Sequence, residues 1–227
     1  MGARASHSRC RWRSPAVSHN NATVFVIDDQ RTMRKSLCHL IRTTGLAAES
    51  FESAEEFLQN YDPSRPGCLL LDLQMPGMTG LQLLERLAAK GDCRPVIIIT
   101  GHADVPTAVR AMRAGAVDIL QKPFKIPELL ERIRQSIALD TQWRRWNTEA
   151  TTIIERINSV SPRERQVLDF VVAGQSTKEI ADQLGLSVKT VEIHRHSLMH
   201  KMGARSPVDL VRMVSACRAP KFSPSLP

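Results

Sequence analysis

Cys68-Leu69-Leu70-Leu71-Asp72-Leu73-Gln74-Met75-Pro76-Gly77-Met78-Thr79-Gly80 is an apolar run that ends on an aspartate and then breaks at Pro76 and Gly77. A short apolar run bounded in this way reads as a strand buried on both faces, the kind found in parallel sheets. Asp72 then stands where the strand emerges, and no regular structure can continue through Pro76-Gly77. Open α/β sheets bind ligands beyond the carboxyl ends of their strands, so the carboxylate is placed for chemistry. A single aspartate after a strand can equally be a helix N-cap. The choice rests on what the other strand ends bring.

They bring matching groups. Thr23–Ile27 is a β-branched strand running into Asp28-Asp29, and 95–99 is a second buried strand, reaching Thr100-Gly101. Residues 116–120 form a strand before Lys122-Pro123, and 46–50 a short one. Between them, helical spacing marks 31–44, 53–60, 80–90, the stretch up to Arg113, and a helix from Ile126. Ser53 with Glu56 makes a capping box. Five strands alternating with five helices predict a doubly wound five-stranded parallel sheet.

Charge divides the chain. Residues 1–22 hold four arginines and no acid, residues 23–143 hold 14 basic and 15 acidic side chains, and residues 144–227 hold 13 basic and eight acidic. A near-neutral body followed by a basic third points to a regulatory domain joined to a nucleic-acid-binding module. The five cysteines are scattered without metal-ligand spacing, which fits a reducing cytosol. No apolar run reaches the length of a membrane span, and the arginine-rich start lacks a signal peptide's apolar region. The expected organisation is a basic disordered arm over 1–22 (or an upstream start-codon extension), the parallel-sheet domain over 23–139, a helical linker over 140–158 and a small all-α domain over 159–220.

That last domain reads as short helices. Ser161-Pro162-Arg163-Glu164 gives an N-cap, an N1 proline and a capping-box acid, and Ser176 with Glu179 repeats the box. Gly185 turns the chain, and Ser187 caps a helix over 188–202 whose outer face carries Lys189, Glu192, His196 and Lys201. Two helices joined by a short glycine turn, the second polar and basic, form a helix-turn-helix pattern.

Asp28, Asp29, Asp72, Thr100 and Lys122 therefore converge at one edge of the sheet. Three carboxylates repel unless a cation neutralises them, and an all-oxygen site with room for water suits Mg²⁺. Lys122 can pair with a phosphate oxygen and the Thr100 hydroxyl can donate to another, while a carboxylate can become an aspartyl phosphate.

At these residues the chain resembles a known family. Val26-Ile27-Asp28-Asp29, Leu71-Asp72-Leu73-Gln74-Met75-Pro76, Ile99-Thr100-Gly101 and Gln121-Lys122-Pro123-Phe124 are similar to the receiver domain of bacterial two-component response regulators. Arg163-Glu164-Arg165-Gln166-Val167-Leu168, Lys178-Glu179-Ile180-Ala181 and Thr190-Val191-Glu192-Ile193-His194-Arg195 resemble the LuxR-type helix-turn-helix. The combination, with Gly101-His102-Ala103-Asp104-Val105-Pro106, is similar to the FixJ branch of the NarL/LuxR family. The resemblance implies a flavodoxin-like strand order, phosphorylation of Asp72 by a sensor histidine kinase, and phosphoryl contacts from Thr100 and Lys122. It implies Mg²⁺ held by Asp28, Asp29, Asp72 and the Gln74 backbone. It further implies dimerisation on phosphorylation, binding to double-stranded promoter DNA and transcription activation with RNA polymerase in the bacterial cytoplasm. Nitrogen-fixation or nodulation genes are the expected targets. Glu192, Ile193 and His196 would face bases, and Lys178, Lys189, Thr190, Arg195 and Lys201 are the expected phosphate contacts. The family's switch positions fall on Thr100 and Ile119, and Ile119 stands where relatives carry an aromatic ring. The competing reading is a phosphate sink or interaction module that regulates no promoter.

Overall fold

The computed structural model describes residues 22–101 and 104–218. The basic arm expected over 1–22 lies outside these except for Ala22, as do His102, Ala103 and the tail beyond 218. The chain divides into two compact units between Ala138 and Leu139.

In the first unit the strands are β1 (Thr23–Ile27), β2 (Ala47–Phe51), β3 (Gly67–Asp72), β4 (Val96–Thr100) and β5 (Asp118–Gln121). All pair in parallel, in the order β2-β1-β3-β4-β5, which is the expected flavodoxin-like sheet. The helices are α1 (Arg31–Thr43), α2 (Ala54–Gln59), α3 (Gly80–Ala89), α4 (Val105–Arg113) and α5, which starts at Ile126. Every residue of β1, β3 and β4 is buried, as a sheet covered on both faces requires. On one face Phe25, Ile27, Leu69, Leu71 and Ile98 pack with Phe57 of α2, Leu83, Leu84 and Leu87 of α3 and Ala111 of α4. The alternate residues, Val24, Val26, Leu70, Ile97 and Ile99, are equally buried, and α1 lies along β1 and β2 with Leu37, Cys38 and Ile41 turned inward. Truncating one such leucine to alanine costs about 2–5 kcal/mol, so the strand ends are held on a stiff base.

Local chemistry sets the joints. Ser53 accepts from the Glu56 amide as expected, but the Glu56 carboxylate turns to the Glu52 amide rather than closing the box. Thr79 and Gln82 form a full capping box that starts α3. α3 can begin there only because residue 80 is glycine, since a Cβ on Gly80 would lie 2.1 Å from the Asp72 carbonyl oxygen.

The second unit is helical. α5 continues to Ser159 without a break, so the last receiver helix and the segment expected as a linker are one helix of 34 residues. It is followed by α6 (Pro162–Val172), α7 (Thr177–Leu184), α8 (Val188–Met202) and α9 (Pro207–Arg218). Capping boxes at Ser161–Glu164 and Ser176–Glu179 are both closed. The core gathers Val167, Leu168, Ile180, Val191, Leu198, Met202 and Leu210, with Ile153 and Ile157 of α5 packed against it.

Candidate phosphoacceptor site and DNA-reading helix

The parallel strands bring their carboxyl ends to one edge, and the helices after β1 and β3 go to opposite faces. A crevice opens between those two strands, where the acids collect. Asp28 follows β1 and Asp72 closes β3; they are 2% and 5% exposed, while Asp29 faces solvent. Lys122, just past β5, reaches across the edge. Its Nζ donates to Asp28 Oδ2 at 2.9 Å and to Asp72 Oδ2 at 2.7 Å. The remaining oxygens accept backbone amides, Gln30 to Asp28 Oδ1 at 2.8 Å and Gln74 to Asp72 Oδ1 at 2.9 Å. Thr100 is buried at the end of β4, and its carbonyl accepts from the Lys122 amide at 2.8 Å, which ties the two strand ends together. Arg34 of α1 holds the loop from below by donating to the Asp28 and Asp29 carbonyls. No local sequence pattern marks that contact.

Electrostatics follow from this packing. Burial pushes the Asp28 carboxyl above its ordinary value, opposed by the hydrogen bonds from Lys122 and Gln30. For Lys122 burial works against the charge, but Asp28 and Asp72 together raise the ammonium above its usual range. The lysine thus remains charged and partly neutralises the acids. Carboxylate oxygens of Asp28, Asp29 and Asp72 lie within 4.8 Å of one another, the one such group among the described residues. Hard oxygen donors, two anchored below the surface and one open to water, fit a Mg²⁺ that keeps part of its hydration. Ile119 is partly buried against the α2–α4 face core.

In the second unit α7 and α8 are joined through Gly185, which adopts a left-handed conformation (φ 64°), and Ser187 caps α8. Val191, Leu198 and Met202 point into the core. Lys189, Glu192 and His196 are exposed on the other side, as is Lys178 on α7. Ile193 is 61% exposed, an aliphatic side chain held out in water in the middle of a polar face. Arg195 is half-buried, and the Thr190 hydroxyl lies 2.7 Å from Ser187 Oγ in the cap. Lys201 is engaged elsewhere. Its Nζ donates to Glu164 Oε2 at 2.7 Å, and Glu164, 4% exposed, also accepts from Ser197 Oγ and the Ser161 amide. These donors, Lys201 foremost, hold the Glu164 carboxyl down at about 2.

An acidic strand-end site bridged by one lysine, followed in the chain by a helix-turn-helix unit, defines the two-component response regulators with a LuxR-type output domain. The chain belongs to that family: residues 24–134 match the response regulator receiver domain and residues 158–214 the bacterial regulatory proteins of the luxR family. It is similar to the response regulator protein TodT of Pseudomonas putida, at 41% identity over 197 residues that cover 87% of each chain. It is also similar to nodulation protein W of Bradyrhizobium diazoefficiens, at 42% identity over 208 residues, 90% of this chain and 92% of the other. Among solved structures, the response regulator StyR is 40% identical with a TM-score of 0.76, covering 86% of this chain and 98% of its own. Full-length FixJ from B. japonicum is 39% identical with a TM-score of 0.54, covering 87% and 97%. The protein is therefore a FixJ-type, phosphorylation-dependent transcriptional response regulator, with a kinase upstream and DNA downstream, and not an enzyme acting on outside substrates.

Proposed function

We propose that Asp72 is the phosphoryl acceptor, and the observation that carries this reading is the Lys122 ammonium shared between Asp28 and Asp72 at the strand ends. An oxygen of Asp72 forms the new P–O bond as the bond from phosphorus to the donor breaks. Asp28, Asp29, Asp72 and the Gln74 backbone would hold Mg²⁺, which neutralises charge on the transferring group when bound. Lys122 then exchanges a carboxylate for a phosphoryl oxygen, and the Thr100 hydroxyl donates to another. The test is labelling by acetyl phosphate in Mg²⁺. Asp72→Asn should take up no label and Asp140→Asn should take up as much as the unaltered chain; stable labelling of the Asp72 variant would overturn the assignment.

Downstream, phosphate biases an element that includes Thr100, Ile119 and α4, with isoleucine repacking in place of a ring rotation. The exposed apolar side chains of α4, Val105, Val109 and Met112, support that face as the homodimer contact of the phosphorylated form. A two-fold dimer suits paired half-sites in promoter DNA. Lys178, Lys189 and Arg195 are the phosphate-side residues, with Thr190 beside them in the helix cap. Glu192, Ile193 and His196 read bases, and Ile193 is suited to a thymine methyl. Lys201 supports the helix through Glu164. We assign the output to activation with RNA polymerase in a bacterial cytoplasm, which accords with the free cysteines and with the absence, among described residues, of a helix able to span a membrane. Nodulation protein W supports a symbiotic regulon; sequencing the DNA bound by the phosphorylated chain tests it.

A further inference from the structure

We propose that Arg156, on the last turns of α5, is a positioning residue for DNA reading: it clamps the C-terminal end of α8 and so sets the pose of the base-facing side chains. The inference rests on the reading of α8 as the helix that enters the groove. Arg156 lies between Ile153 and Ile157, which pack on the core of the second unit, so its backbone is fixed there. Its Nη1 donates to the Met202 carbonyl at 2.7 Å, 46 residues away in sequence. Met202 is the last residue of α8, where backbone carbonyls lose their helical partners. The amides of Gly203 and Ala204 turn back to His200 and Met199, and Arg156 serves the carbonyl they leave. A guanidinium at this end also suits the helix dipole.

The cap residue is shaped for the clamp. Gly203 ends α8 in the left-handed region, with φ 67°, and a Cβ there would lie 2.7 Å from Arg156 Nη1. The neighbouring helix α9 is tied to the same stretch of α5, since Cys217 Sγ donates to the Ala150 carbonyl at 3.6 Å. α8 is thus fixed by its Ser187 cap at one end, by Glu164 along its inner side and by α5 at the other end. His196 lies six residues before Met202, about 9 Å along the axis at 1.5 Å per residue, so a tilt at the clamp displaces the reading face.

A positioning role predicts lost discrimination at an unchanged count of phosphate contacts. The full chain, phosphorylated with acetyl phosphate, is titrated with a duplex that the unaltered chain enriches from a random pool and with poly(dI-dC). Both are measured from about 50 to 200 mM salt. Arg156→Met, which keeps the stem and removes the donors, should bind the enriched duplex roughly tenfold more weakly, the scale of one impaired base contact. Its affinity for poly(dI-dC) and its salt slope should stay as they were, and Arg156→Lys should recover most of the loss. A slope lower by about one on both duplexes would make Arg156 a phosphate contact and overturn the proposal, as would full discrimination by Arg156→Met. If Arg156→Met melts below the binding temperature, Arg156→Gln, which removes the guanidinium that meets the Met202 carbonyl but stays polar, carries the test alone. A partial loss of discrimination then supports the clamp, and none overturns it. His196→Ala separates the premises: if it leaves base preference unchanged, the reading of α8 fails; if only Arg156→Met is without effect, the clamp fails.

Discussion

At the scale of single residues, the two ionic centres differ in how far the sequence reveals them. Asp28, Asp29, Asp72 and Lys122 could be read because each stands where an apolar strand stops, and strand ends of a parallel sheet converge by topology alone. Glu164 was readable only as a capping acid. Its partners Ser197 and Lys201 lie 33 and 37 residues on, and no local rule links them. Lys201 thus resembles a solvent-facing DNA contact in sequence and is a brace in the fold. Glu164 is held below its unfolded value, so it stabilises the fold above about pH 4.5, and that stability is lost as pH falls toward about 2. Because Lys201 keeps 38% of its side chain in solvent, the pair falls short of a fully buried one. Lys201→Met should cost about 2 kcal/mol, between exposed and buried pairs. Melting across that acid range should show a decline that Glu164→Gln flattens; an unchanged decline would remove Glu164 as its source.

At the scale of elements, buried strands and capped helices were placed within a residue or two, because hydrophobic period and cap chemistry are local. The Thr79–Gln82 box is an equally local signal, but it follows directly on Pro76 and Gly77, whose break dominates that stretch of sequence. The approach of α3 to β3 was hidden for a different reason: it depends on a side chain that is not there. Gly80→Ala should push α3 off the Asp72 carbonyl, costing about 1–3 kcal/mol, the usual penalty of overpacking. It should also slow acetyl phosphate labelling, since the carbonyl that the new methyl meets belongs to the proposed acceptor. Urea melts and labelling rates on one preparation compare the two, and normal labelling of Gly80→Ala would show that the site tolerates the shift.

At the scale of the whole molecule, the charge split between body and C-terminal third foretold two modules, but not where they part. Asp140–Val160 holds no glycine or proline, so nothing in the sequence distinguishes the end of one helix from the start of a linker. We propose that the DNA-binding module starts near Leu139, where the second compact unit begins. A fragment of residues 139–227 should then melt cooperatively and bind poly(dI-dC). A fragment of residues 159–227, which lacks Ile153, Arg156 and Ile157, should melt at lower temperature or not fold. Equal melting of the two would show that α5 adds nothing to the module. The same feature bears on how such regulators exchange parts. In a chimera joining this receiver to a foreign output domain, a junction drawn at the first capping serine would pair one parent's clamp with the other's recognition helix. Viable recombinants should carry their crossover upstream, within the helix, where the incoming domain brings its own footing.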